Sequence, residues 1–202
     1  MYSEITKFFP FMLDNKGMFC NNKVFFITAK DDTVSLSFLT AVFNSKLCKL
    51  WIWYNCPELL GGTREIRKAY FENFPIPDLK NSEFSIINSE LANLADKMLT
   101  LNETLQKKST NFLKVVKQTF ALEKISTKLE TFYNLDFDGF LKELKQKVTP
   151  KTKLEWLEVF EDIKKQLQEL QTQISATDKQ INALVYKLYD LTEDEIKIVE
   201  GR

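Results

Sequence analysis

The sequence predicts a mostly helical α+β protein: a small mixed α/β domain over residues 1–78, then a long antiparallel helical hairpin over residues 79–202. Three observations lead there. Four of the five prolines and all three cysteines fall in residues 1–78. The remainder is a Lys/Glu/Leu/Gln-rich tract nearly free of helix breakers. Within that tract, two apolar stripes of equal length repeat at alternating four- and three-residue steps.

In chain order, Lys23-Val24-Phe25-Phe26-Ile27-Thr28 is a β-branched and aromatic run between the turn-forming Cys20-Asn21-Asn22 and Asp31-Asp32. It predicts a buried strand. From Ser35 onward Leu36, Leu39, Phe43, Leu47, Leu50 and Tyr54 recur at helical steps, so one helix is expected up to Pro57, with Asp32 or Thr33 as its N-cap. Gly61-Gly62 lets the backbone turn in ways other residues resist. Glu65 to Phe74 then runs into Pro75-Ile76-Pro77, where each proline pushes its predecessor toward extended geometry.

Ile87, Leu91, Leu94, Met98, Leu101, Leu105, Phe112, Val115 and Leu122 form the first stripe, interrupted at Lys108 and Thr119, and predict a helix over about 83–126. Trp156, Phe160, Ile163, Leu167, Leu170, Ile174, Ile181, Leu184, Leu188 and Leu191 form the second, interrupted at Thr177, over about 153–191. Antiparallel pairing buries both stripes, each helix reaching about 50 Å at ~1.5 Å per residue. A short amphipathic helix over about 137–147 is expected at the tip, carrying Phe140, Leu141 and Leu144, with Asp136 as its cap and Pro150 as the breaker before the return helix. Thr192-Glu193-Asp194-Glu195 has the capping-box pattern and opens a last short helix.

Composition narrows the function. Lys plus Arg equals Asp plus Glu at 28 each, so the whole chain exerts no strong pull on nucleic acid or anionic lipid, and any such contact must come from local patches. There is no histidine. Its absence removes the side chain most used for acid–base work near neutral pH and the commonest metal ligand, which weighs against a self-contained enzyme. Cys20, Cys48 and Cys56 are odd in number and match no zinc spacing, so they read as reduced packing thiols of a cytoplasmic protein. The apolar run from Phe8 to Leu13 is short and lacks a basic leader. Leu47 to Tyr54 falls short of the ~20 residues a membrane-spanning helix needs, so neither a signal peptide nor a membrane span is expected.

A metal-dependent nuclease needs an acidic pair and a lysine around the ion. Asp78 and Glu83 flank Lys80, but at a poor spacing that reads as a solvated helix start. A DNA adenine methyltransferase needs a glycine-rich cofactor turn and an Asn/Asp-Pro-Pro-aromatic loop, and neither occurs here. The best functional cluster is Gly61-Gly62-Thr63-Arg64-Glu65-Ile66-Arg67-Lys68-Ala69-Tyr70. Its glycines permit close approach to a backbone, Thr63 and the exposed amides can donate to phosphate, and Arg64 and Arg67 can fork onto phosphate or guanine. A second patch, Asn21-Asn22-Lys23 with Lys16, suits phosphate or adenine edges. Lys107, Lys108, Lys114, Lys117, Lys164 and Lys165 read as solvated faces of the helices.

Asn21-Asn22-Lys23-Val24-Phe25-Phe26-Ile27, the helix containing Leu39-Thr40-Ala41-Val42-Phe43-Asn44-Ser45-Lys46-Leu47, then Gly61-Gly62-Thr63-Arg64 and Phe74-Pro75-Ile76-Pro77 follow one another in an order that resembles the TaqI-like C-terminal specificity domain of type IIG restriction–modification enzymes. The run Thr177 to Thr192 is similar to the end of such chains, and the order also resembles half of a type I specificity subunit. The resemblance implies a partial target recognition domain over 1–78 that reads double-stranded DNA, with helices that act as a spacer and docking surface. Adenine methyltransferase and endonuclease domains are then expected upstream or in a partner subunit, and S-adenosylmethionine and Mg only there, with no cofactor in this chain. Carried over, the DNA-facing residues are Asn22, Lys23, Gly62, Thr63, Arg64, Arg67 and Lys68, with Gly61 beside them. The rival expectation is a helical protein–protein interaction scaffold without direct DNA contact.

Overall fold

The computed structural model describes residues 1–8, 10–29, 34–77, 82–146 and 148–201. They form a mostly helical α+β arrangement with one two-stranded and one three-stranded antiparallel sheet. Two compact units result, one made of Met1–Lys97 with Thr177–Arg202 and the other of Met98–Ala176. This spatial division differs from the compositional boundary near residue 78, because both ends of the helical tract belong with the N-terminal elements.

In the first unit the opening segment serves two sheets. Strand β1 (Tyr2–Ser3) pairs with β3 (Val24–Phe25), placing Tyr2 opposite Phe25. Strand β2 (Ile5–Thr6) pairs with β5 (Thr63–Glu65), which also takes β4 (Glu58–Leu59), so the order is β2-β5-β4. Glu4 sits at the switch: its amide donates to Lys23 O at 2.9 Å and its carbonyl accepts from Ile66 N at 2.6 Å. The buried strand expected over 23–28 is thereby corrected. Only Val24 and Phe25 pair, both half-buried, and Phe26 is 54% exposed. The reason is the short partner: β1 offers two residues before the chain turns to the other sheet. Asp31 and Asp32 lie outside the described residues.

The single helix expected from Ser35 to Tyr54 is two, α1 (Leu36–Asn44) and α2 (Lys46–Asn55). Ser45, fully buried, separates them. Its hydroxyl donates to Val42 O at 2.6 Å and accepts from Cys48 N at 3.3 Å, so one side chain both ends α1 and caps α2. Periodicity cannot report such a break, since the apolar positions resume on the same side. The N-cap of α1 is Ser35; Asp32 and Thr33 lie outside the described residues.

The core of this unit is a ring stack. Tyr2, Phe11, Phe43 and Phe71 meet with centroids 5.0–5.4 Å apart, and Trp51 and Phe74 extend the cluster in edge-on contacts. Aromatic pairs at these distances add about 0.5–1.5 kcal/mol each beyond the area they bury. Phe71 comes from α3 (Lys68–Phe71), a single turn just after β5. The Asn44 amide reaches back to both polar groups of Phe11, donating to its carbonyl at 2.8 Å and accepting from its amide at 3.0 Å.

The helical tract closes the unit. Asn182 Oδ1 accepts from Lys46 N at 2.8 Å, satisfying a first-turn amide of α2, and the Tyr189 hydroxyl donates to Pro75 O at 2.7 Å. Lys46 pairs with Glu200, which also accepts from the Tyr186 hydroxyl. Glu200 follows α8 (Glu193–Val199), where Thr192 and Glu195 form the capping box.

The thiols yield a direct check on this packing. Cys48 and Cys56 are 0% and 4% exposed, and burial pushes both thiols above their ordinary range, whereas Cys20 is exposed. Thiolate is the reactive form, so in native protein one thiol should titrate promptly with Ellman's reagent and two only after denaturation. Cys20→Ser should abolish the prompt reaction; three prompt thiols would contradict the buried placement of α2.

The second unit contains parts of two long helices, α4 (Ser82–Thr119) and α7 (Pro150–Leu188). Here they run antiparallel: Lys108 Nζ donates to Gln166 Oε1, and Phe120 lies 5.0 Å from Trp156, so rising numbers on one meet falling numbers on the other. Between them come α5 (Thr127–Glu130), a 3-10 turn (Phe132–Asn134) and α6 (Phe137–Leu144), capped by Asp136, whose Oδ1 accepts from Gly139 N at 2.7 Å. Phe112, Val116, Phe132, Phe140, Phe160 and Leu167 lie at the centre of the core.

Three details differ from expectation. Val116 is fully buried while Val115, placed on the seam by the periodicity, is 51% exposed. A straight helix at 3.6 residues per turn drifts against a 3.5-residue repeat, and by Val116 the drift has moved the inward position by one. Helix α4 ends at Thr119 rather than near 126, where Ala121 takes φ 45° and Leu122 N turns back to Lys117 O. Pro150 is the first residue of α7 rather than a breaker before it: its fixed φ suits the first turn, where its missing amide has no partner to lose. Lys147 lies outside the described residues.

Candidate functional site

The glycine–arginine cluster forms the β4-β5 hairpin and its exit into α3. Leu59 pairs with Thr63 across a three-residue loop, Leu60-Gly61-Gly62. Both glycines take positive φ, 78° and 73°, and a Cβ on either would meet nothing within 4 Å. Backbone conformation, not lack of room, therefore selects glycine, and the turn's surface stays open to an approaching backbone. Thr63 Oγ1 donates to Leu60 O at 3.1 Å, bracing the loop, and Leu60 itself is 98% exposed.

Strand alternation divides the cations. Arg64, the central residue of β5, shares its face with Ile66, and both are buried, at 7% and 0% exposure. The Arg64 guanidinium lies 4.1 Å over the Trp53 ring and pairs through Nη1 with Glu58 at 3.3 Å, while its Nε is buried without a hydrogen-bond partner. Arg64, expected among the DNA-facing residues, is thus mostly covered, with its guanidinium turned to Trp53 and Glu58. The same cation holds down the neighbouring Cys56 thiol, against the larger upward effect of burial.

Arg67 and Lys68 do reach solvent, with side chains 56% and 83% exposed. Arg67 Nη2 pairs with Glu65 at 2.7 Å and its Nε faces Glu4 at 3.6 Å. Glu4 also holds Lys23 at 3.0 Å. The two patches that the sequence presents far apart thus converge on one carboxylate, placed there because residue 4 is where the chain passes between sheets. Asn22 is exposed in the turn before Lys23, whose amide is held by Asn21 Oδ1 at 3.0 Å. Asn22, Lys23, Gly62, Thr63, Arg67 and Lys68 are all at least partly accessible; Arg64 is the exception.

Four carboxylates accompany these four cations: Glu4, Glu58, Glu65 and Glu72, the last 4.0 Å from Lys68. Glu58 was legible in principle, since it stands directly opposite Arg64 once the hairpin is drawn. Glu4 and Trp53 carried no sequence signal, because only tertiary packing brings them here. Among the described residues no group of three or more His, Cys, Asp or Glu side chains could hold a metal ion, and no helix is long and apolar enough to cross a membrane. The acidic set suggested by Asp78 and Lys80 lies outside the described residues.

Two family models match the chain. One, the TaqI-like C-terminal specificity domain, covers residues 1–76, which include both sheets and α1–α3. The other, a domain of unknown function (DUF8810), covers residues 85–185, half of the 202. Neither the curated proteins nor the solved structures gave a match.

Proposed function

Since this chain belongs to the DUF8810 family through residues 85–185 and carries a TaqI-like C-terminal specificity domain over residues 1–76, we propose that it is a DNA sequence-specificity module of a restriction–modification enzyme. In this role it binds double-stranded DNA and positions adenine methyltransferase and endonuclease activities supplied by other domains or subunits. The observation that carries the proposal is the convergence of Lys23 and Arg67 on Glu4, beside the strand that the open Gly61-Gly62 turn leads into.

Each cation there is already matched by a carboxylate. Such a surface attracts phosphate weakly, yet a guanidinium held in place can still present its fork to guanine O6 and N7, and an adjacent carboxylate can accept from cytosine N4. Compensated charge therefore favours discrimination between bases over bulk affinity. Arg67, Lys68, Lys23 and Asn22 are assigned the direct contacts and Gly62 and Thr63 the close backbone approach. Arg64 is assigned a positioning role, holding the hairpin against Trp53.

The test is duplex binding by the Arg67→Ala/Lys68→Ala variant, measured by fluorescence anisotropy on cognate and scrambled duplexes in the intact enzyme. Loss of one bidentate base contact costs about 1–3 kcal/mol of discrimination, so the preference for cognate DNA should fall roughly 5- to 150-fold. Circular dichroism should be unchanged, because both side chains are exposed. An unaltered preference would refute the assignment.

A second function, docking of a partner protein, is favoured by one observation: Leu154 and Leu157, one turn apart on α7, are 72% and 40% exposed. It accompanies the first where the partner is the methyltransferase and replaces it where DNA binding shows no dependence on salt.

A further inference from the structure

In a chain whose charges balance, residues 104–122 contain four lysines and no acidic residue. Most of this run is the second half of α4, whose inward face is set by Ser109, Phe112 and Val116. At ~100° per residue, Lys107, Thr110, Asn111, Lys114, Lys117 and Gln118 occupy the opposite arc, and all six are exposed. Every side chain on that arc can donate a hydrogen bond. Lys108, on a different face, is engaged within the unit by Gln166.

Two ordinary explanations fall short. Lysines near a helix C-terminus offset the macrodipole, but that effect is confined to about the last turn and so accounts for Lys117 alone. Surface lysines are also commonly paired with carboxylates three or four residues away. Among the described residues, Lys107, Lys114 and Lys117 make no ion pair within 4.0 Å. Glu130, the carboxylate in the groove bordered by Lys114 and Lys117, pairs with neither. The arc also lacks an apolar or aromatic anchor of the kind that dominates protein–protein binding energy.

We propose that this face of α4 is a second DNA-contacting surface, one that takes the phosphate backbone without regard to sequence. From Lys107 to Lys117 the helix rises about 15 Å, along which duplex DNA presents a phosphate roughly every 3.4 Å per strand. Lysine supplies a point charge on a flexible stem, and threonine, asparagine and glutamine supply neutral donors, the set that phosphate contacts use. The proposal rests on the chain engaging DNA but uses none of the residues assigned to base recognition.

The experiment compares the full chain with its Lys107→Gln/Lys114→Gln/Lys117→Gln variant on a random-sequence duplex across a salt series. Each phosphate contact contributes about 0.9 to the slope of log K against log salt, so the slope should become shallower by about 2–3 and affinity near 0.1 M salt should fall at least ~10-fold. The corresponding triple arginine variant should retain wild-type slope, and all three proteins should share one circular dichroism spectrum. Unchanged slope and affinity in the glutamine variant overturn the proposal, as does a wild-type chain that binds no duplex at low salt. Loss of binding to polyglutamate with duplex binding intact would assign the face to an acidic protein instead. The Arg67→Ala/Lys68→Ala variant separates the two surfaces: it should lower cognate preference and leave random-duplex affinity nearly unchanged. A flat result for one variant therefore does not decide the other.

Discussion

Replacing Phe160 with alanine should destabilise the second unit by about 3–5 kcal/mol, the range for deleting a fully buried aromatic ring. Phe160 is 0% exposed, and its ring lies 4.8 Å from Phe140, 5.5 Å from Phe137 and 6.1 Å from Phe132. Those neighbours come from α6 and the 3-10 turn, so the ring joins the connecting segment to α7, and its loss leaves a cavity bounded by three separate elements. No single neighbour can relax into that space without leaving its own contacts, which places the cost toward the upper end. Domains are typically stable by only 5–15 kcal/mol, so a transition at much lower urea should appear in tryptophan fluorescence, reported by Trp156. Val159→Ala is the internal control: 52% exposed on the same helix, it should shift stability by no more than ~0.5 kcal/mol. A loss below ~1 kcal/mol in Phe160→Ala would mean the core does not close around this ring.

The same region shows what the sequence made legible. Two stripes at heptad spacing required two long helices able to cover one another, and Asp136 and Thr192 marked helix starts because a short acceptor ahead of a helical run has few other uses. The misplaced features are ones that periodicity does not encode. Ser45 breaks a helix from inside a continuous pattern by a hydrogen bond, Val116 replaces Val115 through accumulated drift, and Pro150 opens a helix it could equally have preceded. In the candidate site, glycines and exposed cations were visible because their chemistry is local. The gathering of Lys23 and Arg67 at Glu4 was not, since it depends on one residue passing between two sheets, and neither was the burial of Arg64, which depends on which face of a three-residue strand is covered.

Arg64 carries the second large effect, and its three substitutions should separate structure from recognition. In Arg64→Ala the cation over Trp53, worth about 1–2 kcal/mol when partly desolvated, is lost together with the packing of the aliphatic stem. The pair with Glu58 adds little, because that carboxylate is 58% exposed and such pairs contribute ~0–1 kcal/mol. A net loss near 2–3 kcal/mol should lower the melting temperature by about 4–12 °C in a chain of this size. Arg64→Lys should not restore it, since an ammonium cannot lay a planar group on the indole. Arg64→Met should stay within ~1 kcal/mol of wild type: the stem still packs, and the buried Nε that has no partner is removed with its desolvation cost. Duplex binding by Arg64→Met then decides the role of the side chain. If Arg64 only positions the hairpin, the methionine variant keeps its preference for cognate DNA, whereas Arg67→Ala loses it without any change in melting temperature. A folded Arg64→Met protein that no longer distinguishes cognate from scrambled duplex would mean that the guanidinium leaves Trp53 and swings out onto the DNA.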